Sequence, residues 1–140
     1  AVELVFEVDE SLFIEGFDIK LFQLWSNIIK NAIESLDQYR DRGVINISSE
    51  SMEDKVIIRI SNNGPKIPEE IRTKIFEKFF TTKAARNGSG LGLSIVRSTL
   101  EDHDASMDLT SDDDWTTFSF TFKKLNYKTD PKNTVEIELL

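Results

Sequence analysis

The chain contains no cysteine, only three prolines and six glycines, and a single histidine among its 140 residues. The lack of cysteine excludes a disulfide scaffold, a thiolate-ligated zinc site and a thiol nucleophile, and it fits a reducing compartment. No apolar run approaches the roughly 20 residues that span a bilayer. The opening residues Ala1-Val2-Glu3-Leu4 have neither the basic nor the apolar region of a signal peptide. These absences predict a soluble, cytoplasmic domain without direct membrane contact, although a longer protein containing it could still be anchored. Basic residues are also in deficit: 17 Lys and Arg stand against 25 Asp and Glu, for a formal charge of −8. That balance argues against nucleic acid as a partner. What remains is enough for a packed domain, with 39% hydrophobic residues and ten phenylalanines.

Residues 2–8 alternate apolar and mostly acidic side chains, which predicts a half-buried strand. A long amphipathic helix is predicted over 19–37. Leu21, Trp25, Ile28 and Ala32 recur at helical spacing along it, as do Phe22, Ile29, Ile33 and Leu36. Val44–Ser48 and 55–61 read as two strands joined through Ser49–Asp54. Pro68-Glu69-Glu70 has the signature of a helix start, with proline first and acids at the positive end. Thr81–Gly90 is polar, basic and ends in glycine, so it reads as a mobile loop. A helix over 91–101 follows, with Leu93, Val96 and Leu100 toward the core. Two further strands, 106–111 and 116–123, are joined by Asp112–Trp115. Residues 126–134 read as a linker, and 135–140 as a last strand. The order places a helical layer on one face of a largely antiparallel sheet. The domain is expected to end near residue 125, leaving 126–140 as linker or added edge strand.

Three segments could carry chemistry. Gln23, Asn27, Asn31, Glu34 and Gln38 form one polar stripe on the long helix, at spacings of four, four, three and four. The stripe is either a solvated face or a source of neutral oxygens for Mg²⁺, which prefers hard oxygen ligands. Asn87-Gly88-Ser89-Gly90-Leu91-Gly92-Leu93-Ser94 opens directly into a helix. Glycines let backbone N–H groups approach an anion, and a helix N-terminus favours negative charge. This is not a dinucleotide fingerprint, because the spacing is G-x-G-x-G and no strand precedes it. Nor is it a P-loop, because no G-x-x-x-x-G-K-[ST] occurs. The third segment, Asn62–Pro68, ends a strand and reads as a binding loop.

In order and wording these segments resemble the ATP-binding catalytic domain of sensor histidine kinases, in the superfamily shared with gyrase, the Hsp90 chaperones and MutL. Leu24–Ala32 is similar to the family's N box, and Ile60–Pro68 to its G1 box. Ile75–Lys83 is similar to the F box in its nitrogen-regulator-type version, and Gly88–Ser94 to the G2 box. The resemblance covers roughly residues 2–123.

The resemblance implies an α/β (α+β) two-layer sandwich of Bergerat type. It has a mixed, largely antiparallel sheet and helices on one face. It implies ATP and Mg²⁺ as cofactors, with Asn31 on the metal and Asn27 supporting it one turn earlier. Gly88, Ser89, Gly90, Leu91, Gly92 and Leu93 would hold phosphates. Lys83 and Arg86 would add charge from the lid, and Phe76, Phe79 and Phe80 would anchor that lid. Gly64, Lys66 and Ile67 would border the nucleotide, and Thr117 would lie near adenine. Asn62 stands where the family has an aspartate that accepts from the adenine amino group. Lys66 replaces the second G1 glycine, and Glu34 a basic residue. Glycines are replaced at Asp104-Ala105 and Trp115. Gyrase-like relatives carry a glutamate base one turn before the metal asparagine. This chain has Asn27 there, and an amide cannot take a proton from water. The only histidine, His103, reads as a cation at a helix C-terminus, so the phosphorylated histidine would lie on a separate dimerisation domain, with a response regulator downstream. Two functions follow: a kinase domain that presents the γ-phosphate to that histidine, or a degenerate domain that acts by docking.

Overall fold

The computed structural model describes residues 2–9, 13–37, 42–72, 91–124 and 134–136. Its elements run β1 (Val2–Glu7), β2 (Phe13–Glu15), α1 (Asp18–Asp37), β3 (Gly43–Ser51), β4 (Lys55–Asn62), α2 (Glu69–Arg72), α3 (Leu91–Asp102), β5 (Ser106–Ser111), β6 (Thr116–Lys123) and β7 (Thr134–Glu136). Five strands form one sheet in the order β1-β3-β4-β6-β5. β1 pairs with β3 in parallel, and the other pairings are antiparallel. The mixed, largely antiparallel sheet expected from the sequence is therefore present.

Period-two patterning decides which face is buried. Ile45 and Ile47 of β3, Val56, Ile58 and Ile60 of β4, and Phe118, Phe120 and Phe122 of β6 all point to one side. α1 packs on β3 and β4, while α3 packs on α1 and β5. From α1 the core receives Leu21, Leu24, Trp25, Ile28, Ala32 and Leu36, and from α3 it receives Val96 and Leu100. Trp25 meets Phe120 edge to face, with ring centroids 5.4 Å apart. The other apolar series on α1 divides: Leu36 is core, but Phe22 and Ile33 are exposed.

β2 and β7 pair antiparallel as a separate two-stranded sheet. β2 was not legible in the sequence, being three residues long with no alternation to mark it. Of the last strand expected over 135–140, residues 135 and 136 lie in β7, which pairs with β2 and not with the large sheet, and 137–140 lie outside the described residues.

Beyond β2, the chain enters α1 through Gly16. A Cβ on Gly16 would stand 2.5 Å from the His103 ring, so only glycine fits there. His103 terminates α3, and its Nε2 accepts the Phe17 N–H at 2.9 Å. Its Nδ1 lies 2.6 Å from the Thr99 carbonyl oxygen, which can only accept, so the proton sits on Nδ1. The cation expected at this helix end is thus a neutral imidazole. It joins α3 to the start of α1, and the edges of the Phe17 and Phe122 rings pack against it.

Candidate functional site

The end of the sandwich away from His103 collects the C-terminal half of α1, the loop after β4, the start of α3 and the β5–β6 turn. Here the buried face turns from apolar to polar. Asn62, Ser111 and Thr116 are buried. Asn62 and Thr116 are direct cross-strand partners at the ends of β4 and β6, and Ser111 pairs with Thr116 from β5. Ser111 Oγ and Thr116 Oγ1 are 2.6 Å apart.

Asn62 Oδ1 accepts the Gly64 N–H at 3.0 Å, which fixes the orientation of the amide. Gly64 is pressed against this side chain: a Cβ there would lie 2.8 Å from Asn62 Oδ1 and 3.6 Å from the Ser35 Cβ of α1. Ser35 in turn donates to the Asn31 carbonyl at 2.9 Å. The loop after β4 therefore rests one helical turn from Asn31. Asn27, Asn31 and Glu34 are half-buried along that flank of α1, whereas Gln23 is exposed and Gln38 lies outside the described residues. An amide half-buried beside a polar, glycine-lined loop can offer an oxygen to a hard cation without the cost of burying a charge.

The rest of the loop is held from the far side. Asn63 turns away: its Oδ1 accepts the Val44 N–H at 2.8 Å, closing the start of β3. The Asn63-Gly64 pair thus makes no hairpin. Ile67 N–H donates to Ser111 Oγ at 2.9 Å. Arg72, ending α2, donates to the Ile67 carbonyl at 3.0 Å and to the Ser111 carbonyl at 2.6 Å. Across the turn, Asp112 accepts the N–H groups of Trp115 and Asp114, both at 2.8 Å. Those bonds hold its carboxyl below the usual range, with smaller help from the charges of Lys66 and Arg72. Lys66 therefore stands within electrostatic reach of the β5–β6 turn.

Two threonines need separating. Thr117 points to the open face of the sheet, where its hydroxyl lies 2.8 Å from Ser61 Oγ. Thr116, one residue earlier, shares the helix-covered face with Asn62. The position beside Asn62 belongs to Thr116. The signal was in the sequence: if Phe118, Phe120 and Phe122 point inward, period two sends Thr116 inward and Thr117 outward. Ser111 and Arg72 were also missed, and no local pattern marks either of them.

Asn62, Gly64 and Ile67 come together after β4, one turn of α1 from Asn31, and Leu91, Gly92 and Leu93 open α3, which packs on α1. Phe76, Phe79, Phe80, Lys83, Arg86, Gly88, Ser89 and Gly90 lie outside the described residues, as does the loop expected over 81–90.

Residues 16–126 match the family model described as Histidine kinase-, DNA gyrase B-, and HSP90-like ATPase. The chain is similar to the sporulation kinase A of Bacillus subtilis, at 34% identity over 116 residues, 82% of this chain and 18% of that protein. It thus spans about a fifth of the length of this curated relative. Among solved structures it is similar to the catalytic domain of histidine kinase ThkA: 38% identity, TM-score 0.76, covering 88% of this chain and 80% of that one. It also resembles ThkA in complex with the response regulator protein TrrA, at 32% identity and TM-score 0.71, covering 91% of this chain and 36% of that one. With a family model over most of its length and a solved catalytic domain matched almost end to end, the chain belongs to the histidine kinase-, DNA gyrase B- and HSP90-like ATPase family, among the catalytic domains of histidine kinases.

Proposed function

We propose that this domain is the catalytic part of a two-component sensor histidine kinase, binding Mg-ATP and offering its γ-phosphate to a histidine on another domain. The observation that carries the reading is the polar end of the sandwich. There Asn62, Ser111 and Thr116 replace apolar core with hydrogen-bonding groups, and Gly64 rests against α1 one helical turn from Asn31. ATP supplies the transferable phosphoryl group, and Mg²⁺ neutralises its charge. Asn31 would take the metal, with Asn27 beside it. The backbone opening α3, with Gly88, Ser89 and Gly90 before it, would take phosphates. Asn62 and Thr116 would face the base. Lys83 and Arg86 would supply charge from the segment that precedes the glycines.

The chain's own residues do no covalent chemistry in this scheme. Asn27 and Asn31 are amides and cannot abstract a proton. The sole histidine is at the opposite end, with both ring nitrogens engaged. The acceptor must therefore come from elsewhere, which fits a dimerisation domain bearing the phosphorylated histidine and a response regulator after it. What the domain contributes is position and charge compensation, which suffice for phosphoryl transfer. Residues 1–125 would form the ATP-binding unit, with β7 (Thr134–Glu136) paired to β2 from the segment 126–140. The cytoplasm, where ATP is available, is the compartment this chemistry requires.

Titration with ATP, with and without Mg²⁺, tests the reading. Asn31→Ala should abolish the Mg²⁺-dependent part of binding and leave folding stability within about 1 kcal/mol, as for a partly exposed polar change. A large loss of stability with unchanged binding would return the asparagine stripe to a structural role.

A further inference from the structure

Among the described residues, the five-stranded sheet is wider than its helical layer. Helices are about 10 Å across and strands about 4.8 Å apart, so two helices cover roughly four strands. α1 lies over β3 and β4, and α3 over β5, which leaves β1 at the margin. Leu4 and Phe6 of β1 are in register with the buried Ile45 and Ile47, on the same face, yet are 46% and 42% exposed. α1 packs on the neighbouring β3, so its flank turned away from α3 faces this margin. Lys20, which pairs with Asp102 of α3, marks the opposite flank. Phe22, Ile29 and Ile33 fall within about 40° of one another on the helix, and Phe22 is 71% exposed. Floor and wall form one apolar corner.

The margin is also an open edge. β1 is the outermost strand, and among the described residues no strand lies beyond it. An unpaired edge with apolar side chains on one face is a template for another strand. On its other face β1 carries exposed Glu3 and Glu7 on either side of the half-buried Val5, and no basic residue occurs between Val2 and Asp9. These acids decide which strand fits. In the self-pairing register of fullest overlap, antiparallel about Val5, Glu3 would stand opposite Glu7 twice, and like charges directly opposite are destabilising. A second copy is therefore disfavoured. A strand alternating apolar residues with Lys or Arg meets every feature: its apolar side chains enter the corner under Phe22 and Ile33, and its cations face Glu3 and Glu7.

We infer that the outer edge of β1, with the α1 flank above it, is a docking surface for an extended segment of another protein or domain that alternates apolar and basic residues. It would bind by strand addition. Backbone hydrogen bonds would give affinity, and the two faces would give register. This surface is separate from the nucleotide end, and the inference does not depend on the kinase reading.

The test uses the 140-residue chain and a capped heptapeptide of alternating lysine and valine, followed by amide resonances. Saturable shifts should centre on Val2–Val8. Doubly substituting Glu3→Lys and Glu7→Lys should weaken binding about tenfold, as two attractive cross-strand pairs become repulsive. The matching glutamate–valine peptide should gain on that variant by a similar factor. Three results would overturn the inference. One is equal binding by a peptide of the same composition with its lysines and valines in separate blocks. Another is shifts centred away from β1. The third is β1 shifts that arise from dimerisation of the chain alone.

Discussion

The two ends of the helical layer use the same device for opposite purposes. At one end Gly16 is pressed against His103, and at the other Gly64 is pressed against Asn62. In each case a glycine lets the backbone approach a polar side chain, and that side chain bonds a backbone N–H. His103 then uses its second nitrogen on the Thr99 carbonyl, and two aromatic rings close around it. That end is a clamp closed by aromatic rings, although Phe17 itself stays 58% exposed. Around Asn62 the neighbours are hydroxyls, an exposed lysine, a loop carrying two prolines and the polar flank of α1. Among the described residues no aromatic pair closes over Asn62, although Leu36 lies beside Gly64. One end is closed by aromatic rings and the other is left open to hydrogen-bonding groups, and only the second arrangement offers a ligand polar partners.

The comparison breaks most visibly at the closed end. Gly16→Ala puts a Cβ into the His103 ring and near Leu21. The ring cannot move without releasing Phe17 N–H and Thr99. Overpacking together with the lost hydrogen bonds should destabilise the fold by about 2–3 kcal/mol. Chemical denaturation measures this, and ATP affinity of the folded protein should be unchanged. A loss of affinity without loss of stability would mean that the two ends are coupled rather than separate.

At the open end the largest expected gain comes from Asn62→Asp. Oδ1 already serves the Gly64 N–H. The other atom of the amide is a donor and cannot accept from an adenine amino group. A carboxylate keeps the first bond and offers a second, charge-assisted acceptor, which strengthens such a bond by about 1 kcal/mol or more. Burying the new charge opposes this. The net expectation is about tenfold tighter ATP binding by calorimetry. GTP, with an acceptor at that place on the ring, should show no gain. Equal ATP affinities in the two proteins would put the adenine contact elsewhere.

A smaller effect separates the two threonines. Thr116→Val should weaken ATP binding several-fold, since it removes a hydroxyl beside Asn62 and leaves Ser111 with one partner fewer. Thr117→Val, on the far face, should leave binding unchanged. The reverse result would require the nucleotide to meet the open face of the sheet.

These residues also show what the sequence could and could not disclose. Periodicity was sufficient for α1, β3, β4 and β6, because each buries a single face over several turns or pleats. The motifs drew attention to Asn31, Asn62 and Gly64, and the structure joins Asn62 to Gly64 one turn of α1 from Asn31. The inward Thr116 was deducible from the phenylalanines that follow it. Arg72 and Ser111 were not, because their roles come from pairing between segments 39 residues apart. His103 was misread as a cation because its acceptor role depends on Phe17, 86 residues earlier. β2 escaped because three residues are too short for a period to show.

The smallest effect probes the closed end again, at the C-terminus of α3. Asp104 has a φ of 51°, a left-handed conformation that β-carbon contacts make unfavourable for most residues. It is the turning residue of a Schellman cap. Its own N–H reaches the Glu101 carbonyl at 3.2 Å, and the Ala105 N–H reaches Leu100 at 2.9 Å. Glycine is the usual residue at such a position. Asp104→Gly should remove the steric cost, at the expense of more freedom in the unfolded chain and of the ion pair with Lys123. That pair is at the surface, with side chains 77% and 80% exposed, so its loss should matter little. The balance favours glycine by about 0.5 kcal/mol, read as a higher midpoint in urea. Asp104→Ala is the control. It removes the same ion pair but keeps the β-carbon and loses the local tolerance of aspartate, so it should destabilise. If glycine and alanine give equal midpoints, the left-handed turn is not what limits this joint. Neither variant should change ATP affinity, since the turn lies at the His103 end of α3 and the groups proposed to hold the nucleotide lie at the other.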